Sequence, residues 1–335
     1  MTKPLRATSY DVARLAGVSQ SAVSRCFKPG ASISERMRER VLAAARELNY
    51  QPNAMARGLI TKRSGLVAVL VASTMNFYYP EVLFQLTQRF SENGMRVLLF
   101  TVDSEADADD ILNPIWQYSV DGVISASHLS VAQYESLRER DIPVVMFNRS
   151  FAGLKTHSIW ADSAAAVEEM IDDLAAMGHR RFALLKGPEV SMVGRSRAEH
   201  VTQAIASRGL ELVAEARGDY HYASGANQTA TLLEASPTAI IAANDMMAMG
   251  VMDALRHTHG LDVPGDISVA GFDGTAYGQF AAYGLTTIRQ PIGRMADAAV
   301  DLLLEIVERS DLSSERRVFE SEYMPSKSTS PRKAS

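Results

Sequence analysis

Apolar positions repeat at helical spacing from the start of the chain. Val12, Ala13, Leu15 and Ala16 form one short stripe, and Ala22, Val23, Cys26 and Phe27 form a second, with only Gly17, Val18 and Ser19 between them. Helices below roughly 12–15 residues are marginal in water, so these two must lean on a neighbour. A third stripe, Val41, Leu42, Ala45 and Leu48, follows Ser34 as its expected cap. Gly17 suits a tight turn because it accepts positive φ, and Ser19 is placed to cap the second helix. Three short helices with one glycine-containing turn predict a helix-turn-helix unit. Beyond it, Pro52 can start a further helix in "NAMARGL", where Ala54, Met55, Ala56 and Leu59 are apolar over barely two turns.

After Ser64 the pattern changes. The runs "LVAVLVAS", "RVLLFTV", "GVISAS" and "VVMFN" read as buried strands, each followed by a connection or an amphipathic helix. After "SIWAD" the rhythm resumes with "FALLKG", "LVAEARG", "AIIAAN" and "ISVAGFDG". Near-continuous apolar strands alternating with helices imply parallel sheets covered on both faces. The class is therefore α/β with an all-α head, and two such runs imply two lobes. Crossovers between the lobes are expected near Ile159–Asp162, Leu285–Pro291 and Val318–Met324, with the helix Ile292–Arg309 returning to the first lobe. The tail "PSKSTSPRKAS" is polar, without apolar pattern, and is expected to be disordered.

Charge sharpens this division. Residues 1–63 hold twelve Lys or Arg and four Asp or Glu, a net of +8. Residues 64–335 hold 22 basic and 35 acidic residues, a net of −13. A basic head on an acidic body favours a polyanion as the partner of the head alone. Cys26 is the single cysteine, so no intrachain disulfide can form, and a buried thiol is expected. His257 and His259 lie beside a helix end without a third ligand, and His179 reads as a local hydrogen-bonding residue. Met246, Met247, Met249 and Met252 read as core filling. The chain has no Walker loop, dinucleotide fingerprint, nucleophile elbow or zinc signature. It also has no run of 18 apolar residues and no secretory h-region, so a cytoplasmic protein without membrane contact is expected.

The order "DVARLAGVS…VSR…RVLAAARELNYQPNAMARGL", from Thr8 to Leu59, closely resembles the N-terminus of the LacI/GalR family of bacterial transcription regulators. Lys28 and Met37 stand where the family usually has Asn and Thr, and "DSAAAV" from Asp162 replaces its usual "DNxxGA". The resemblance implies that the second helix enters the DNA major groove, with Gln20, Ser21, Ala22 and Arg25 toward base edges. Ser19 and Ser24 would hold phosphates. It makes "NAMARGL" a hinge helix carrying Asn53, Ala56 and Leu59, with Leu59 wedging between base pairs in the minor groove.

Over the body the chain resembles the family's periplasmic-binding-protein-like core, with a ligand cleft between two lobes. The implied domains are a DNA-binding head at 1–51, a hinge and linker at 52–63, and an effector-binding and dimerisation core at 64–325. Within the core, the first lobe is about 64–160 and 290–317 and the second about 161–289 and 318–325, leaving 326–335 as tail. Ligands of open parallel sheets sit beyond the carboxyl ends of strands. By family position, Asn148, Arg197, Asn244 and Asp273 form a polar ring there, with Tyr220 or Trp160 as a stacking aromatic. Tyr78 and Tyr79 occupy the first-lobe aromatic place, and Gln290 the cleft edge. Asp245 is expected to cap the helix after it.

Three classes are weighed: an effector-responsive DNA-binding regulator, a periplasmic transport receptor, and a doubly wound enzyme. Only the first needs the basic head, and no nucleophile–base pair speaks for the third. The reading is a regulator, by family default a repressor, and not an enzyme. It would act as a homodimer or tetramer on a near-palindromic double-stranded operator. A sugar, polyol or sugar acid would bind as effector, with no cofactor or metal.

Overall fold

The computed structural model describes residues 7–27, 30–51, 63–72, 77–102, 107–127, 129–151, 153–309 and 312–332. The chain divides into two units, Met1–Ser64 and Gly65–Ser335. The expected hinge residues Asn53, Ala56 and Leu59 lie outside the described residues, as does Lys28.

The small unit holds α1 (Ser9–Ala16), α2 (Gln20–Cys26) and α3 (Glu35–Glu47). Thr8 and Asp11 form a reciprocal capping box that starts α1, and Gly17 ends it in the left-handed region at φ +62°. Ser19 accepts the Ala22 N–H and starts α2. Val12, Ala13, Ala16, Val23, Cys26, Val41, Ala44 and Ala45 close a small core, with Phe27 and Tyr50 edge to face at 6.0 Å. The Arg40 guanidinium donates to the carbonyls of Ala16 and Gly17, tying the turn to α3. Three expectations change. Leu15 and Leu42 are 47% and 36% exposed, because Ala44 and the smaller α1 residues fill the core in their place. Ser34 stands at the start of α3, but its hydroxyl makes no capping bond.

The large unit opens with β1 (Leu66–Ala72), α4 (Tyr78–Glu92), β2 (Arg96–Val102), α5 (Asp107–Gln117), β3 (Gly122–Ser125), α6 (Val131–Arg138), β4 (Val144–Phe147) and β5 (His157–Asp162). It crosses into α7 (Ala164–Ala176), β6 (Arg181–Lys186), α8 (Met192–Ser207), β7 (Glu211–Arg217), α9 (Tyr222–Leu233), β8 (Ala239–Ala242), α10 (Asp245–His257), β9 (Ser268–Asp273) and β10 (Thr286–Arg289). It returns through α11 (Ile292–Glu308) and β11 (Arg316–Glu320), then ends in β12 (Glu322–Met324). One sheet has the order β11-β5-β4-β3-β1-β2 and is parallel throughout. The other has the order β12-β10-β9-β8-β6-β7, parallel except for β12. The apolar face of α11, from Ile292 to Leu303, packs with Val67, Ile124, Val145 and Ile159 of the first sheet.

Differences from the sequence reading follow from position in the sheets. β2 and β7 are edge strands with one neighbour each, so "RVLLFTV" and "LVAEARG" are only half-buried. The lobe borders at 160 and 317 fall inside β5 and β11, whose register runs to Asp162 and Glu320, so the last crossover is at Ser321. Over its described residues, 326–332, the tail is docked on the fold rather than disordered. Ser328 is fully buried: its Oγ donates to the Val269 carbonyl at 2.6 Å and accepts the Thr286 N–H at 2.8 Å. Its backbone bonds Val269 and Gly284. His179 Nε2 lies 3.1 Å from the Ser330 carbonyl and 3.0 Å from Ser268 Oγ. A polar tail holds here because hydrogen bonds, which hydropathy does not register, dock it on β9.

This docking has a measurable consequence. Ser328→Ala strands the buried Thr286 N–H, which costs about 1–3 kcal/mol. Urea unfolding should show a midpoint lowered accordingly. An unchanged midpoint would place the tail outside the folded core.

Candidate functional site

In the head, α2 presents one outward face. Ser19, Ser21, Ser24 and Arg25 are exposed, while Gln20 is half-buried and donates to Ser9 Oγ at 3.3 Å. Ala22 does not belong to this face. It is only 3% exposed, because positions 22, 23 and 26 of a helix share its inward stripe. Its methyl therefore cannot reach a base edge in this fold.

In the large unit, the carboxyl ends of strands from both sheets converge on a cavity of about 200 Å³. Ala72 ends β1, Val102 ends β2, Asn148 follows β4, Asp273 ends β9 and Gln290 follows β10, and all five line it. Asn148 at +52° and Asp273 at +111° have positive φ, as does Tyr220 at +71°, which also lines the cavity. Such conformations cost of order 1–3 kcal/mol each and persist where surroundings fix them.

Asn148 is fixed by β5, since its Oδ1 accepts the Ala161 N–H at 2.8 Å. Its Nδ2 then donates to Gln290 Oε1 at 2.6 Å and to the Tyr78 hydroxyl at 3.1 Å. Tyr78 donates in turn to Gln290 Oε1 at 3.1 Å. Burial, then the charge of Asp273, pushes the Tyr78 phenol well above its ordinary range, so it stays a donor. Gln290 Nε2 donates to Asp273 Oδ1 at 3.0 Å. Asp273 Oδ1 also accepts from Arg197 Nη2 at 2.6 Å, while Arg197 Nη1 donates to the Ala243 carbonyl at 2.6 Å. The Arg197 guanidinium carbon lies 5.0 Å from the centre of the Phe272 ring. A continuous polar chain thus runs from the first lobe through the crossover into the second.

Tyr220 and Tyr79 complete the walls. The Tyr220 hydroxyl shares a 2.8 Å hydrogen bond with Ser191 Oγ, and Tyr79 donates to the Ala126 carbonyl at 3.3 Å. The Tyr220 phenol lies so close to Gly187 and Gly194 that a Cβ at either would stand 2.6 Å from it. Tyr78, Tyr79, Asn148, Arg197, Tyr220, Asp273 and Gln290 are therefore brought together. Two expected residues are not. Asn244 is fully buried as the cap of α10, accepting the Met247 N–H at 3.0 Å and donating to the Tyr220 carbonyl. Trp160 is absent from the main cavity lining and borders a void of only about 10 Å³, with Arg316 over its ring at 5.0 Å. Ser127, Arg149 and Ser191 line the cavity without having been assigned to it. Their signal was positional: two follow β3 and β4, and Ser191 caps α8 by accepting the Gly194 N–H.

Asp245 also exchanges roles with Asn244. Its Oδ2 accepts the Thr275 N–H at 2.6 Å and the Thr275 hydroxyl at 2.9 Å, and its Oδ1 accepts the Thr287 hydroxyl at 2.6 Å. It ties α10 to β10 and to the loop behind Asp273. Burial, reinforced by the Asp273 charge, pushes its carboxyl up to about 7.

Among the described residues, no group of three or more His, Cys, Asp or Glu could hold a metal ion. Among the same residues, no helix is long and apolar enough to cross a membrane. Residues 8–53 match the profile of bacterial regulatory proteins, lacI family, and residues 171–329 that of the periplasmic binding protein-like domain. The HTH-type transcriptional regulator DegA of Bacillus subtilis (strain 168) is 31% identical over 301 residues, covering 87% of this chain and 88% of that protein. The crystal structure of the lac repressor dimer bound to operator and the anti-inducer ONPF is 30% identical with a TM-score of 0.87, covering 98% of this chain and 99% of that one. A complex of the transcriptional regulator CelR with cellobiose is 27% identical with a TM-score of 0.73, covering 96% of this chain and all 100% of that one.

The Asp245 environment predicts a pH effect. Its folded value, about 7, lies above the ordinary 3.8, so its contribution to stability is full below 3.8 and is lost as pH rises toward 7. Asp245→Asn lacks this titration. Relative to wild type, its unfolding free energy should rise by about 2 kcal/mol between about pH 5.5 and about pH 8. Urea unfolding of both proteins at the two pH values measures the difference, and a gap independent of pH would contradict the assignment.

Proposed function

Because the chain belongs to the lacI family of bacterial regulatory proteins, and so is a DNA-binding transcription regulator, we propose that it works as a dimeric repressor governed by a small sugar-like effector. Two copies read a near-palindromic operator, one α2 to each half-site, since a single recognition helix reads too few bases to outcompete genomic sites. Arg25 makes the main base contact, Gln20 and Ser21 make further ones, and Ser19 and Ser24 hold phosphates. The protein acts in the cytoplasm, where the chromosome lies.

The observation that carries the effector reading is the polar chain from Tyr78 and Asn148 through Gln290 to Asp273 and Arg197 beside an open cavity. Its donors and acceptors come from both lobes and from a crossover between them. A polyol bound there exchanges bonds with both lobes at once, so its binding energy depends on how the lobes meet. Tyr220 and Tyr79 offer ring faces of the kind that pack on sugars. The linker segment carries the signal, with Leu59 wedging into the minor groove as the resemblance implies. A ligand that prefers one lobe arrangement shifts operator affinity, by a typical coupling of about 1–3 kcal/mol.

The test begins by selecting a duplex from a random pool with the intact protein. The enriched sequence should be near-palindromic and bind two chains in sedimentation. Arg25→Ala should lose about 1–3 kcal/mol on that duplex and relax one base pair per half-site, with a smaller loss on a scrambled duplex. Equal losses on both would remove α2 as the reader.

A further inference from the structure

Among the described residues, two arginines line the cavity, and only Arg197 is matched by a carboxylate. Arg197 pairs with Asp273 at 2.6 Å, with both side chains buried, so the pair adds no net charge. Arg149 follows Asn148 at the carboxyl end of β4. Its Nη1 donates to the Asn148 carbonyl at 3.0 Å, and its Nε is buried without an acceptor. Among the described residues, no carboxylate forms an ion pair with it.

Arg149 also stands between two spaces. It lines the 200 Å³ cavity and a neighbouring one of about 270 Å³ that includes Ser127, Ser130, Ser150, Phe151 and Met192. Among the described residues, Arg149 is the only charged one lining that second cavity. The two cavities, which share Ser127 and Arg149, are lined among the described residues by two guanidinium groups and one carboxylate. The charge reaches across the cleft: burial raises the Tyr220 phenol, while the charges of Arg197 and Arg149 oppose the rise.

Water can serve an unpaired guanidinium in an open cavity. A ligand that displaces this water must supply acceptors or leave a desolvated charge. A neutral hydroxyl supplies an acceptor without offsetting the charge, whereas a carboxylate or phosphate supplies both and matches the guanidinium fork bidentately. We infer that the effector is an anionic sugar whose carboxylate or phosphate is held by Arg149 at the junction of the two cavities, while its hydroxyls meet Asn148, Gln290 and Ser191. This rests on the effector reading above and narrows it to one ligand class.

The experiment is calorimetric titration of the intact protein with hexuronates, hexose phosphates and their neutral parent hexoses. At least one anion should bind about tenfold or more tightly than its neutral parent. The arm that gains tells carboxylate from phosphate. Arg149→Gln should erase the gain and Arg149→Lys should keep part of it. A neutral hexose binding as tightly as its acid and phosphate overturns the inference and leaves the sugar reading standing. So does Arg149→Gln binding the anion like wild type. Should neither neutral nor anionic sugars bind at millimolar concentration, the effector reading falls, and this inference with it.

Discussion

Moving a guanidinium out of water costs several kcal/mol even after a protein relaxes, and a single counter-charge offsets this only when the remaining polar groups are also bonded. Arg197 meets both conditions through the Asp273 carboxylate, the Ala243 carbonyl and the Phe272 ring. Asp273 must then hold φ at +111° at the end of β9, and its Oδ1 takes a second donor from Gln290. Gln290 is a crossover residue, so its carbonyl oxygen passes the requirement to Asn148 and Tyr78 in the other lobe. One buried ion pair thus constrains how two sheets meet. Well-packed apolar residues can replace such a pair without loss of stability. What they could not replace is a row of polar groups aimed at a cavity.

The sheets explain why this row was readable. A residue just beyond the carboxyl end of a central strand has its backbone fixed by neighbours on both sides, and in this topology it faces the crevice. Asn148 and Asp273 occupy such places on strands apolar enough to be placed from pattern alone, whereas Gln290 follows the polar run TTIR and was expected only as part of a crossover. The three-helix head was equally plain, because Gly17, Ser19 and the alternating stripes each allow few alternatives.

What escaped notice depends on direction rather than position. Asn244 and Asp245 are adjacent polar residues before a helix, and sequence does not say which will cap it. Packing decided: Asn244 turns to the Met247 N–H, and Asp245 is left to the hydroxyls of Thr275 and Thr287, which lie far along the chain. Ala22 was assigned outward by analogy, although its place two residues into a seven-residue helix puts it on the stripe with Val23 and Cys26. Trp160 sits in β5 while Asn148, clipped to Ala161, occupies the cavity side. The tail escaped for a different reason. Its contacts are hydrogen bonds to β9 and β10, and composition cannot distinguish a solvated serine from a docked one.

Charge joins the two ends of the proposed mechanism. The head carries a net +8 and the rest of the chain −13, so a nucleic acid is drawn to one and turned away from the other. At physiological salt the screening length is about 8 Å, too short for the body's exterior charge to govern a lined cleft. Among the described residues lining that cleft, the charged ones are Arg149, Arg197 and Asp273, and Arg149 is the one left without a carboxylate. A polyanion too large to enter meets only the acidic exterior. A small anion that diffuses within a screening length meets the guanidinium of Arg149 instead. Net charge over the whole chain, −5, conceals both effects, because each acts only over the distance at which its own charges are unscreened.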